Sequence, residues 1–158
     1  MDKTLRLHGR RIVVTGAASG IGKATAELLR AEGAQLALLD MNSVADQDNL
    51  GPAFSCNVAD ANSAMAAVAQ AASALGGIDG VVNAAGIMRT GPTSQITPKT
   101  WAEVIGVNLS GTFHVISACL PWLETAKGAA IVNIASVAAF DGQIGQASYS
   151  ASKGGVVG

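Results

Sequence analysis

The chain has 158 residues, 49% apolar and 13% charged, with a formal net charge of −1. A length of this order fits one folded domain over residues 1–158 that buries roughly 70% of its unfolded surface, and with aromatics at only 4% the core must be built from Ala, Val, Ile and Leu. Near-neutral charge with no run of Lys or Arg excludes non-specific nucleic-acid binding and attraction to anionic membrane surfaces.

The opening MDKTLRLHGRR lacks the apolar segment of a signal peptide. RIVV (11–14) then reads as a first strand, TGAASGIG as a glycine-rich turn, and KATAELLRAEG as a helix ending at Gly33. QLALLD (35–40) is a second strand, so these segments form a βαβ unit. Residues 41–51 read as a polar loop and AFSCNV (53–58) as a third strand. The Ala-rich stretch 59–77 is helical with Asp60 as N-cap. A turn and fourth strand occupy 78–86, and 87–98 is a loop. From Pro98 to Ala126 the pattern is helical, with Pro121 expected to kink or interrupt it because proline removes a backbone donor. GAAIVNIAS (128–136) is a fifth strand, AFDGQIGQ a loop, and ASYSASKGGVVG opens a last helix. Apolar stretches are broken by Gly, Asn, Ser or Pro before the ~20 residues of a membrane span. Cys56 and Cys119 form no CxxC or Cys/His cluster; they read as reduced core thiols, no metal site is expected, and a soluble cytoplasmic protein is the default. Strands alternating with helices imply an α/β fold, a doubly wound parallel sheet covered on both faces.

Four motifs bear on chemistry. Thr15–Gly22 places Gly16, Gly20 and Gly22 between a strand and a helix, where backbone N–H groups can approach a pyrophosphate. The spacing is neither GxGxxG nor a P-loop, and a tight turn without ligand is the plain alternative. Asp40 ends the second strand at the offset of an acid that accepts hydrogen bonds from an adenosine ribose. Its charge would repel a 2′-phosphate, and Ala17, Ala18 and Ser19 supply no cation to hold one, so NAD is preferred over NADP; a solvated strand-end acid is the alternative. NAAG (Asn83–Gly86) puts small residues at the carboxyl end of the fourth strand, suited to a ligand or simply to close packing. Finally, Tyr149 and Lys153 share one helix face at i and i+4, and Ser136 ends the fifth strand. A lysine cation about 4 Å from a phenolate stabilises it by roughly 4 kcal/mol at an effective dielectric of 20, enough to turn a phenol into a general acid/base near neutral pH. An exposed helix face is the plain reading of such a pair. His8 and His114 read as surface and core residues, Trp101 and Trp122 as packing residues, and Asp79 and Asp141 as turn residues.

Together TGAASGIG, NAAG, Ser136 and YSASK resemble the short-chain dehydrogenase/reductase family, with Asn108 in VNLSGTF matching a fourth catalytic residue. The resemblance spans residues 11–158 and implies a Rossmann-like sheet of strand order 3-2-1-4-5. It implies an NAD cofactor held by Gly16, Ser19, Gly20, Ile21, Gly22, Asp40, Asn57, Val58, Asn83, Ala84 and Gly86, together with Tyr149 and Lys153. It also implies roles. Tyr149 exchanges a proton with the substrate oxygen during hydride transfer between a secondary alcohol and a ketone. Lys153 holds the nicotinamide ribose, Ser136 hydrogen-bonds the substrate oxygen, and Asn108 supports a water in a proton relay. Asn57 stands where the family often has Asp. SVAAFDGQIGQASYSASKGG looks most like short-chain 3-hydroxyacyl-CoA dehydrogenases, with 3-oxoacyl-carrier-protein reductases close behind. Family members continue into two further strands, so the chain reads as C-terminally incomplete, with the fifth strand an exposed apolar edge. A homo-oligomer, dimer or tetramer, is expected if the interface helices are complete. The rival expectation is a catalytically weak dinucleotide-binding or subunit-interaction module.

Overall fold

The computed structural model describes residues 5–42 and 50–158; the expected loop at 41–51 lies outside the described residues from 43 to 49. The elements run β1 (Arg11–Thr15), α1 (Gly20–Ala31), β2 (Gln35–Asp40), β3 (Ala53–Ser55), α2 (Ala61–Leu75) and β4 (Gly80–Asn83). They continue with α3 (Pro98–Ile105), a π-helical turn (Gly106–Ser110), α4 (Gly111–Leu123), β5 (Ala130–Asn133), α5 (Ala138–Asp141) and α6 (Ala147–Val157). All strand pairs are parallel, in the order β3-β2-β1-β4-β5 expected from the sequence.

Helical crossovers cover both faces of such a sheet, so its central strands are continuous apolar runs and do not alternate. On one face Val13, Leu39 and Val81 meet Ala64, Val68 and Ala71 of α2 and Val115 and Cys119 of α4. On the other, Ile12, Val14, Leu38 and Val82 meet Ala26 of α1. Both cysteines are buried thiols. Burial pushes Cys56 up to about 11 and Cys119 up to about 12, so both remain protonated. On β5, the outer strand of the described sheet, Ile131 and Val132 are exposed.

Several boundaries differ from expectation, each for a local reason. The third strand stops at Ser55 instead of residue 58, because the Asn57 side chain accepts from the Ala59 N–H and the Ser63 hydroxyl accepts from the Asn57 N–H, turning the chain out of the sheet. Asp60 caps α2 as expected, accepting from the N–H groups of Asn62 (2.8 Å) and Ser63 (3.1 Å). Helix α1 ends one residue before Glu32, and Gly33 follows in the left-handed region at φ 91°. The fifth strand is shorter than 128–136, and α5 replaces part of the loop after it.

The expected interruption at Pro121 is corrected: α4 continues through it to Leu123. The proline lies in the last turn, so it removes one late donor, and Ser117, whose carbonyl would have received it, is solvent-exposed. The irregularity falls instead at the π-turn. Pro98–Leu123 is thus one helical run of 26 residues, long and apolar enough by composition to cross a membrane, contrary to the sequence expectation. Within it Val104, Asn108, Val115, Cys119 and Leu123 are buried against the rest of the fold, while Trp101, Phe113 and Leu120 are exposed.

Asp79 is more than a turn residue. Its carboxylate accepts from Arg11 Nη2 at 2.6 Å and from Arg11 Nε and N at 2.9 Å, while Arg11 Nη1 donates to the Gly76 carbonyl. Arg10 Nη2 donates to the carbonyls of Asp79 (2.9 Å) and Gly128 (2.6 Å), so two arginines tie the amino ends of β1, β4 and β5 together. The Arg11 hydrogen bonds hold the Asp79 carboxyl below the usual carboxylate range. A lowered native value stabilises the fold above the unfolded value near 3.8, and that contribution is lost as pH falls through the native value. Substitution D79N is expected to cost about 2 kcal/mol at pH 7. The difference from wild type in urea unfolding midpoints should shrink below about pH 4 as the wild-type carboxylate protonates.

Candidate active site

The carboxyl edge of the sheet is assembled around the glycine turn. Gly16 has φ 67°, and a Cβ there would lie 2.8 Å from Ala85 Cα; a Cβ on Gly22 would fall on the Gly16 carbonyl. Only glycine allows the first turn of α1 to sit this close to the turn that precedes it. Ser19, the α1 N-cap, makes no side-chain capping bond, so its hydroxyl leaves the first-turn N–H groups to other partners. The Thr15 hydroxyl oxygen accepts from the N–H groups of Ala84 and Ala85 at 3.1 Å each, fastening the NAAG segment to β1.

A cleft of about 420 Å³ opens beside this turn. It is lined by Gly16, Ser19, Gly20, Ile21, Gly22, Asp40, Asn57, Val58, Ala84 and Gly86 among the sequence-predicted residues. Leu39, Met41, Asn42, Cys56, Ile87 and Val107 also line it and were not expected there from the sequence, and Ala85 lines it within the NAAG motif. Asn83 is not on the lining: it is buried, and its Nδ2 donates to Asn133 Oδ1 at 2.9 Å, pairing the ends of β4 and β5. Asp40 accepts from the N–H groups of Ala18 (3.0 Å) and Asn42 (2.8 Å), so it fastens the glycine turn as well as facing the cleft.

Of the four expected reacting residues, Asn108 bonds to Ile87 after β4, Lys153 bonds to Ile134 after β5, Ser136 follows β5, and Tyr149 stands one turn before Lys153 on α6. Lys153 is 5% exposed, its Nζ donates to the Ile134 carbonyl at 2.6 Å, and burial lowers its pKa from the ordinary lysine value. The same Nζ lies 5.9 Å from the centre of the Tyr149 ring. A Cβ on Gly86 would lie 3.4 Å from Asn108 Oδ1 and 3.8 Å from Lys153 Nζ, so all three groups converge. Ser136 Oγ accepts from the Ala138 N–H at 3.2 Å, which opens α5.

Asn108 sits in the π-turn and is fully buried. Its Oδ1 accepts from the Ile87 N–H at 2.8 Å; its Nδ2 donates to the Ile87 carbonyl at 2.9 Å and to Ser152 Oγ at 3.0 Å. Both amide hydrogens are therefore taken up by protein, and any contact with water is made as an acceptor. Ser152 was missed in the sequence. Its buried hydroxyl donates to the Tyr149 carbonyl at 2.7 Å, joining the Tyr149–Lys153 helix to Asn108. Its place inside YSASK, on the helix face next to Lys153, was the available signal.

The family model described as short chain dehydrogenase matches residues 10–158, and the chain belongs to that family. D-threitol dehydrogenase of Mycolicibacterium smegmatis is 40% identical over 100% of this chain and 64% of its own length. The 3-hydroxyacyl-CoA dehydrogenase type-2 of Bos taurus is 41% identical over 96% of this chain and 65% of its own. The ligand-free aldohexose dehydrogenase structure of Thermoplasma acidophilum superposes with a TM-score of 0.92 at 28% identity, covering 98% of this chain and 60% of that one. This chain thus spans less than two thirds of the length of these relatives.

Substitution S152A leaves an Asn108 amide hydrogen buried without an acceptor. It is expected to cost about 1–3 kcal/mol of stability in chemical denaturation, whereas S152T, which keeps the hydroxyl, should cost less than half of that.

Proposed function

We propose that this chain carries the cofactor cleft and reacting residues of an NAD-dependent oxidoreductase interconverting a secondary alcohol and a ketone, with Tyr149 as general acid/base. The observation that carries the reading is the convergence of Gly86, Asn108 and Lys153 beside the glycine turn. The residues fit a dinucleotide. A side-chain carbon at Gly16 or Gly22 would obstruct the cradle, the α1 N-terminus has no side-chain cap, and Asp40 faces the cleft. Asp40 favours an unphosphorylated ribose, since its charge repels a 2′-phosphate.

A bound nicotinamide dinucleotide supplies the two-electron exchange with the substrate carbon. In this reading the protein's own contribution is position and charge. Tyr149 moves a proton to or from the substrate oxygen. Lys153 brings a cation whose protein hydrogen-bond partner is a carbonyl and not a carboxylate, which leaves its field to act on the phenol oxygen and on the ribose hydroxyls. Ser136 donates to the substrate oxygen, and Asn108 holds the Gly86–Ile87 segment in place and accepts from a relay water.

For the substrate, we propose a 3-hydroxyacyl thioester. The SVAAFDGQIGQASYSASKGG stretch and the identity to the bovine 3-hydroxyacyl-CoA dehydrogenase support it. Protonated, buried cysteines suit a cytoplasmic setting. With acetoacetyl-CoA and NADH, Y149F is expected to lose at least about a hundredfold in turnover while binding NADH within twofold of wild type. NAD should bind at least about tenfold tighter than NADP in calorimetric titration; unchanged Y149F turnover, or a preference for NADP, would refute the respective part. Exposed Trp101, Phe113 and Leu120 on the long helical run support homo-oligomer formation, and sedimentation velocity at micromolar concentration is expected to give a dimer or larger.

A further inference from the structure

Between β3 and α2 the segment Cys56–Asp60 contains no regular structure to hold it, and its Cys56, Asn57 and Val58 line the cleft. Hydrogen bonds tie its main chain at several points instead. The Cys56 N–H donates to the Asp40 carbonyl at 2.9 Å, the Asn57 N–H to Ser63 Oγ at 3.0 Å, and the Asp60 N–H to the Asn57 carbonyl at 3.0 Å. The Val58 carbonyl is met from across the fold by His114 Nδ1 of α4 at 3.0 Å. A carbonyl only accepts, so Nδ1 carries the hydrogen. One turn earlier on the same helix, Gly111 lies under the Val58 side chain so closely that a Cβ there would be 2.7 Å from Val58 Cγ2. Val58 is therefore gripped twice by α4, by its side chain at Gly111 and by its main chain at His114.

Resting on the cofactor reading above, we infer that His114 is a positioning residue for the adenosine half of the dinucleotide. It acts through the Val58 carbonyl, which fixes the wall opposite the glycine turn. Neither the cleft lining nor the reacting cluster includes it. The sequence reading treated it as packing, and the ring edge-on to Phe113 at 6.1 Å accounts only for its outer side.

The test is calorimetric titration of ADP-ribose and, separately, nicotinamide mononucleotide into the full chain, with thermal unfolding midpoints recorded alongside. Replacement H114L removes the donor; H114N keeps one near the Nδ1 position; H114Q displaces it by one methylene and serves where H114L does not fold. H114L and H114Q are expected to weaken ADP-ribose binding about tenfold, the equivalent of one hydrogen bond. H114N should stay within about twofold, and nicotinamide mononucleotide binding should not change. The inference is overturned if H114L and H114Q bind ADP-ribose as wild type does, if H114N loses as much as they do, or if both ligands weaken in parallel. Wild-type protein that fails to bind ADP-ribose would overturn the cofactor reading itself and this inference with it.

Discussion

At the carboxyl edge of the sheet, main chain lies directly on main chain, with no side chain between. The turn at Gly16, the first helical turn at Gly22 and the segment after β4 at Ala85 occupy a volume that one additional methyl group would overfill. Everything else at this edge is referenced to that contact. Thr15 accepts the two N–H groups of Ala84 and Ala85, and the next residue, Gly86, is bare on the side that Asn108 and Lys153 approach. Close backbone packing thus does two things. It leaves the N-terminus of α1 open to the cleft, and it sets the distance from there to Asn108 and Lys153.

The buried lysine depends on the same framework. A cation at 5% exposure is costly unless its hydrogens are satisfied, and the lowering of the Lys153 pKa reflects that cost. The Ile134 carbonyl satisfies one hydrogen without cancelling the charge. An acid in the same place would have stabilised the cation and also masked it. The amide pair Asn83–Asn133 and the Asn108–Ile87 clasp serve the neighbourhood in the same neutral way, holding strand ends and loops by hydrogen bonds that add no net charge.

The element sequence was legible because it follows from local patterns: short apolar runs, glycine turns and an Asp cap, each within a few residues; the strand order came from the family resemblance of the motifs taken together. The family was legible because the types and order of its motif residues are distinctive together. Interactions made across the fold were not. Ser152 looked like any small helical residue, Asp79 like a turn acid, and His114 like packing, since Asn108, Arg11 and Val58 are brought to them only by tertiary structure. Pro121 misled in the opposite direction. A local rule pointed to a break, but the position, late in the helix and beside an exposed Ser117, made the loss tolerable.

The π-turn at Gly106–Ser110 has a consequence for helical phase. A π-turn accommodates one residue beyond the α-helical repeat, and each residue advances the helix face by about 100°. Before it, α3 runs in one phase; after it, α4 presents Gly111 and His114 to Val58 while Asn108, within the turn itself, reaches Ile87 and Ser152. Deleting a single residue there would restore a regular helix yet rotate one set of contacts away from its wall. The irregular turn is therefore the gearing by which one continuous helix serves both ends of the cleft at once.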